Sequence, residues 1–142
     1  MMNDQLEMTR DSMSATLQKN VFIVDDDESV RRAVAILLGT FGFKAQAFSC
    51  AADFFSAVSN TDHGFLIIDI HMPVVNGWEA LKRLRESGSR RPVAIITANK
   101  SDGLNIKAMQ AGAVGFLQKP FNVEELVGLI NQEYKYNNEG TT

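Results

Sequence analysis

The chain is short of cysteine. Cys50 stands alone, so no internal disulfide can form, and a reduced, cytoplasmic setting is the expectation. Basic charge is also scarce. Lys and Arg number 14 against 17 Asp and Glu, for a net charge of −3. That balance lacks the basic footprint of nucleic-acid binding, so no direct nucleic-acid contact is expected. No stretch approaches the roughly 18 apolar residues of a membrane span, and no membrane contact is expected. The first residues include Asp4, Glu7, Arg10 and Asp11 and lack the apolar run of a secretory leader. There is no internal repeat and no low-complexity block.

What remains is ordinary globular composition, with 45% apolar and 22% charged residues in a chain of 142. That length favours one domain with a core of its own. The expected boundaries are a polar N-terminal tail at residues 1–18 (a short helix is the alternative), a domain at 19–136, and a polar C-terminal tail at 137–142.

Within the domain, short apolar runs alternate with helical patterns. The runs are Val21-Phe22-Ile23-Val24, Ala45-Gln46-Ala47-Phe48, Phe65-Leu66-Ile67-Ile68, Val93-Ala94-Ile95-Ile96 and Val114-Gly115-Phe116-Leu117. Three are almost wholly apolar, which suits parallel strands covered on both faces. Val30, Ala33, Val34, Leu37, Leu38 and Phe41 form a helical stripe ending at Gly42. Phe54, Phe55 and Val58 mark a shorter helix at 51–58. Trp78, Leu81 and Leu84 mark one at 77–87, and a weaker pattern covers 103–111. Val123, Leu126, Val127 and Ile130 mark the last helix, with Asn122 as its N-cap. Five strand–helix units in alternation predict a doubly wound parallel sheet with helices on both faces.

In such sheets the ligand site lies beyond the carboxyl ends of the strands. The first strand ends at Asp25-Asp26-Asp27, the third at Asp69, the fourth at Thr97, and the fifth at Lys119-Pro120. Clustered carboxylates need compensation, and a hard divalent cation such as Mg²⁺ supplies it through oxygen ligands. Lys119 offers a point charge for phosphate and Thr97 a hydroxyl donor. Asp69 can act as a nucleophile toward phosphorus. Singly, each residue has a plainer reading: Asp26 or Asp27 favouring a helix dipole, Asp69 in a turn, Thr97 at a strand end, Lys119 on the surface. Their joint placement at four strand ends is what the plain readings leave unexplained.

These stretches, with Asp69-Ile70-His71-Met72-Pro73, Ile95-Ile96-Thr97-Ala98 and Phe116-Leu117-Gln118-Lys119-Pro120-Phe121, resemble the receiver domain of two-component response regulators over roughly residues 19–134. The look is closest to receivers of the nitrogen-fixation and LuxR-output type, which also carry Phe at the position of Phe116. The resemblance implies a flavodoxin-like fold with strand order 2-1-3-4-5 and phosphorylation of Asp69 by a sensor histidine kinase or histidine phosphotransfer protein. It implies Mg²⁺, with Mn²⁺ as a substitute, bound by Asp26, Asp69 and the backbone carbonyl of His71, while Asp25 holds metal-bound water. Thr97 and Phe116 match the switch pair. Lys119 matches the phosphate-binding lysine, before a cis Pro120. The implied output is a downstream protein target or a homodimer through the fourth helix, fifth strand and fifth helix. No enzyme activity is expected beyond the domain's own phosphorylation and dephosphorylation. Val74 stands where many relatives have Gly. Either a stand-alone receiver or a piece of a longer regulator fits the chain. Rival expectations are an aspartyl-phosphate phosphatase, which would need a further general acid, a phosphorylation-independent receiver, and a flavin- or nucleotide-binding domain. Cys50, His63 and the imidazole of His71 are read as passive residues.

Overall fold

The computed structural model describes residues 20–140, with side chains described to residue 134. The expected tail at 1–18 lies outside the described residues. Strands and helices alternate as β1 (Asn20–Val24), α1 (Glu28–Thr40), β2 (Lys44–Phe48), α2 (Ala51–Ala57), β3 (Phe65–Asp69), α3 (Gly77–Glu86), β4 (Val93–Thr97), α4 (Leu104–Gln110), β5 (Gly115–Gln118) and α5 (Val123–Gly140). The sheet order is β2-β1-β3-β4-β5, and every pairing is parallel. This is the expected flavodoxin-like doubly wound fold.

The alternation of side chains along a strand splits the core into two layers. Phe22, Val24, Leu66, Ile68, Val93 and Ile95 face α2, α3 and α4, and meet Phe54, Leu81, Leu84 and Ala108. Val21, Ile23, Phe65, Ile67, Ala94 and Ile96 face α1 and α5, and meet Val34, Leu38, Leu126 and Ile130. Strands β3 and β4 are buried at every position. Each fully covered Ile or Leu contributes about 2 kcal/mol of transfer free energy, which is why these two strands anchor the site.

One expectation needs adjusting. Of the α1 stripe, only Val34 and Leu38 are buried within the helix. Leu37 (42% exposed) and Phe41 (43%) remain open to solvent. The reason is position: α1 packs on the edge strand β2, itself mostly exposed, so the sheet covers only one ridge of a six-residue stripe. At the other end, α5 runs to Gly140. No Gly or Pro interrupts residues 129–139, so nothing in the sequence stops the helix earlier. Asn122 does cap α5, its Oδ1 accepting from Glu125 N–H at 2.9 Å.

Arg91 supports the end of the sheet opposite the Asp69 end. Its guanidinium lies 5.2 Å from the Phe22 ring and 5.7 Å from the Phe54 ring. It donates to the carbonyls of Gly64 and Ser59, each at 2.9 Å. Burial lowers its pKa first of all, but an arginine stays charged. It therefore serves as a buried charged clamp on loop backbone.

Candidate functional site

The three consecutive aspartates after β1 part company in space. Asp25 is fully buried, and its Oδ1 accepts from Asp27 N–H at 2.9 Å. Asp26 is exposed. Asp27 is the N-cap of α1, accepting from Ser29 N–H at 2.9 Å and Val30 N–H at 3.4 Å. For Asp27 the plain reading therefore holds: it satisfies otherwise unpaired helix donors.

Asp69 closes β3 and is 5% exposed. Its Oδ1 accepts from His71 N–H at 3.2 Å, so the His71 backbone, not its exposed ring, meets the carboxylate. Lys119 reaches in from the end of β5, with Nζ 2.7 Å from Asp25 Oδ2 and 3.2 Å from Asp69 Oδ2. The Lys119–Pro120 peptide bond is cis. Carboxylate oxygens of Asp25, Asp26 and Asp69 lie within 4.8 Å of one another. Three carboxylates against one ammonium leave a formal charge of −2, made entirely of hard oxygen donors, and that set fits a divalent cation. Burial raises the Asp69 pKa above the ordinary carboxylate value, and the charge of Asp25 adds to it; Lys119 and His71 N–H oppose. For Lys119, burial pulls downward, but the hydrogen bond and charge of Asp25, followed by those of Asp69, outweigh it and raise the pKa.

Thr97, at the end of β4, is fully buried. Its Oγ1 accepts from Asn99 N–H at 3.0 Å, and its carbonyl accepts from Lys119 N–H at 2.7 Å. The hydroxyl is thus engaged with the β4–α4 loop, while Asp25, Asp26, Asp69 and Lys119 form the charged cluster. Phe116 is half-buried against the core layer of α2, α3 and α4. It lines a cavity of about 650 Å³ between the β4–α4 and β5–α5 loops, and Gln118 Nε2 donates to Asn99 O at 3.3 Å beside it.

Two contributors escaped sequence reading. Arg31 donates to the Asp25 carbonyl at 2.8 Å; a basic residue one turn into a helix carries no signal of that reach. Gly77 lets α3 begin hard against β3, because a Cβ there would sit 2.5 Å from Asp69 O. A glycine opening an amphipathic helix was the available clue. Val74 adopts φ 70, with Val75 N–H donating to Pro73 O at 2.8 Å. That left-handed conformation explains why glycine suits this position. Among the described residues, no helix is long and apolar enough to cross a membrane.

Comparison with known proteins agrees with this fold. The response regulator receiver domain family matches residues 21–131. The response regulator protein TodT of Pseudomonas putida F1 is 36% identical over 115 residues, covering 81% of this chain and 51% of that protein. The transcriptional regulatory protein FixJ of Bradyrhizobium diazoefficiens is 34% identical, covering 81% of this chain and 56% of FixJ. The chain thus spans about half the length of these curated relatives. Among solved structures, the response regulator StyR superposes with a TM-score of 0.79 at 36% identity, covering 87% of this chain and 63% of that one.

Proposed function

The chain belongs to the response regulator receiver domain family of two-component signalling, and from that premise we propose that Asp69 is its phosphoacceptor. Receiver domains are signalling modules that interact with histidine kinases and output domains. The observation that carries the assignment is Lys119 bridging the buried Asp25 and Asp69, with Asp26 completing a carboxylate set at the same strand ends.

The chemistry follows from the side chains. Asp69 Oδ attacks the phosphorus of a phosphohistidine or a small phosphodonor; the P–N or P–O bond to the leaving group breaks, and an acyl phosphate forms on Asp69. Mg²⁺, held by Asp26, Asp69 and the His71 carbonyl with Asp25 on its water, would supply neutralising charge to the phosphoryl oxygens. Lys119, already within hydrogen-bond reach of Asp69 Oδ2, turns its ammonium to the incoming oxygens. Thr97 exchanges its bond to Asn99 for one to a phosphoryl oxygen, and Phe116 follows into the space that loop vacates, which shifts a two-state equilibrium. Uptake and later hydrolysis both belong to the domain's own residues. The reading-out surface is α4, β5 and α5, as a target contact or a homodimer. Ile106 (60% exposed) and Met109 (54%) on α4 support an apolar contact there.

Incubation with acetyl phosphate and Mg²⁺, followed by intact mass, tests this. Wild type gains one phosphoryl group and Asp69→Asn gains none. Equal labelling of both would remove Asp69 from the mechanism.

A further inference from the structure

Helix α4 buries fewer side chains than the other described helices. It has seven residues and buries only Ala108. A glycine at positive φ stands at each end: Gly103 (φ 84) as its N-cap, and Gly112 (φ 96) just past its C-cap. A Cβ on Gly103 would meet nothing within 4 Å, so that end is open. An element that buries one side chain and is open at its Gly103 end is the kind that adopts alternative positions.

Two side-chain contacts tie its surroundings to α3: Arg85 Nη2 donates to Gly112 O at 2.9 Å past the C-cap, and Lys107 meets Trp78 on the helix itself. The Lys107 ammonium lies 4.5 Å from the centroid of the Trp78 ring, and Trp78 packs against the core layer beneath α3 and α4. Trp78 directly follows Gly77. A Cβ at Gly77 would fall 2.5 Å from Asp69 O and 2.9 Å from Ile70 Cα, both backbone atoms, and Gly77 N–H donates to Ile70 O at 2.9 Å. The first turn of α3 therefore has no slack against the end of β3. Packed backbone of this kind transmits a displacement rather than absorbing it.

We propose that α3 forms a second line of coupling between Asp69 and α4, running through Gly77 and the Trp78–Lys107 pair, separate from the Thr97 and Phe116 route on β4 and β5. It rests on the reading of Asp69 as phosphoacceptor. A change of charge and contacts at Asp69 moves the end of β3, Gly77 passes that movement to α3, and the indole carries it to the Lys107 ammonium. Coupling between sites is reciprocal, so loosening the Lys107 end must change events at Asp69. An exposed cation–π pair limits the effect to about two- to fivefold.

The test uses the full chain with Lys107→Gln, an exposed substitution that keeps a long side chain and removes the charge. Trp78 is the only tryptophan in the sequence, so its emission reads the pair directly. Phosphoryl uptake from acetyl phosphate with Mg²⁺ and phosphoryl lifetime are followed by intact mass, alongside that emission. Wild type should change emission on phosphorylation, beyond any change that Mg²⁺ alone causes, and Asp69→Asn should not. Lys107→Gln should alter uptake or lifetime about two- to fivefold and diminish the emission change, and Lys107→Arg should restore both. Unchanged uptake and lifetime in Lys107→Gln would overturn the proposal. So would wild type that phosphorylates with a silent indole. Wild type that takes up no phosphoryl group would overturn the phosphoacceptor reading, and this proposal with it.

Discussion

Lys119 sits closer to Asp25 than to Asp69, at 2.7 Å against 3.2 Å. The shorter bond goes to the fully buried carboxylate, while the longer one meets the proposed phosphoacceptor. One ammonium thus holds two carboxylates together, and its grip on Asp69 is the weaker of the two.

Replacing the lysine exposes that double role. Lys119→Met should destabilise the domain at pH 7 by about 3 kcal/mol in urea unfolding, because it leaves two buried carboxylates without a countercharge. The folded pKa of Lys119 is raised above 10.5. Its contribution is therefore complete below the unfolded pKa and is lost as pH climbs through the folded one. The wild-type and variant curves should draw together in that alkaline range.

Asp69 behaves in the opposite sense. Its folded pKa lies above its ordinary value of 3.8, so the native state binds more protons than the unfolded chain between those two values. Stability falls as pH rises through that window. Asp69→Asn should therefore be more stable than wild type at pH 7 in EDTA, and the gap should close as pH drops toward 3.8. A constant gap across that range would refute the raised pKa.

Asp26 is exposed, and its proposed role is to hold a cation. Without divalent ions, Asp26→Asn should change stability by less than about 0.5 kcal/mol. In wild type, Mg²⁺ at a hundredfold excess over Kd should add about 2.7 kcal/mol, read as a rise in thermal midpoint. The variant should lose most of that increment.

Val74 is 99% exposed and takes φ 70. A β-branched residue is strained there, and asparagine is tolerated. Val74→Asn should stabilise the protein by about 1 kcal/mol in urea unfolding. No stabilisation would mean that the turn relaxes freely around valine.

Arg91 holds the Gly64 and Ser59 carbonyls at the end of the sheet opposite Asp69. Arg91→Met should cost about 3 kcal/mol, since the Gly64 and Ser59 carbonyls lose their charged donor. Phosphoryl uptake by the folded fraction should match wild type.

Much of this was legible in the sequence, for physical reasons. The runs that became β3 and β4 are covered on both faces, so their composition is unambiguous. The strand ends then name Asp25, Asp69, Thr97 and Lys119 by position. Legibility falls where burial is partial. The α1 stripe gives no sign that β2 lies at an edge, so Leu37 and Phe41 looked like core residues. Periodicity cannot distinguish Asp26 from Asp27, because the difference lies in which carboxylate turns back to the Ser29 amide. Arg31 and Gly77 act through backbone atoms of distant residues, contacts that no local pattern encodes.

The bond between Asp25 and Lys119 spans 94 residues of chain. The ammonium reaches its partners only after β1, β3, β4 and β5 have all paired in register. The cluster proposed for phosphorylation is therefore a property of the whole sheet and of no single segment. Without that pairing the aspartates lack the lysine that holds Asp25 and Asp69 together. On the proposed reading of Asp69, the charged cluster that would receive the phosphoryl group exists only in the completed sheet.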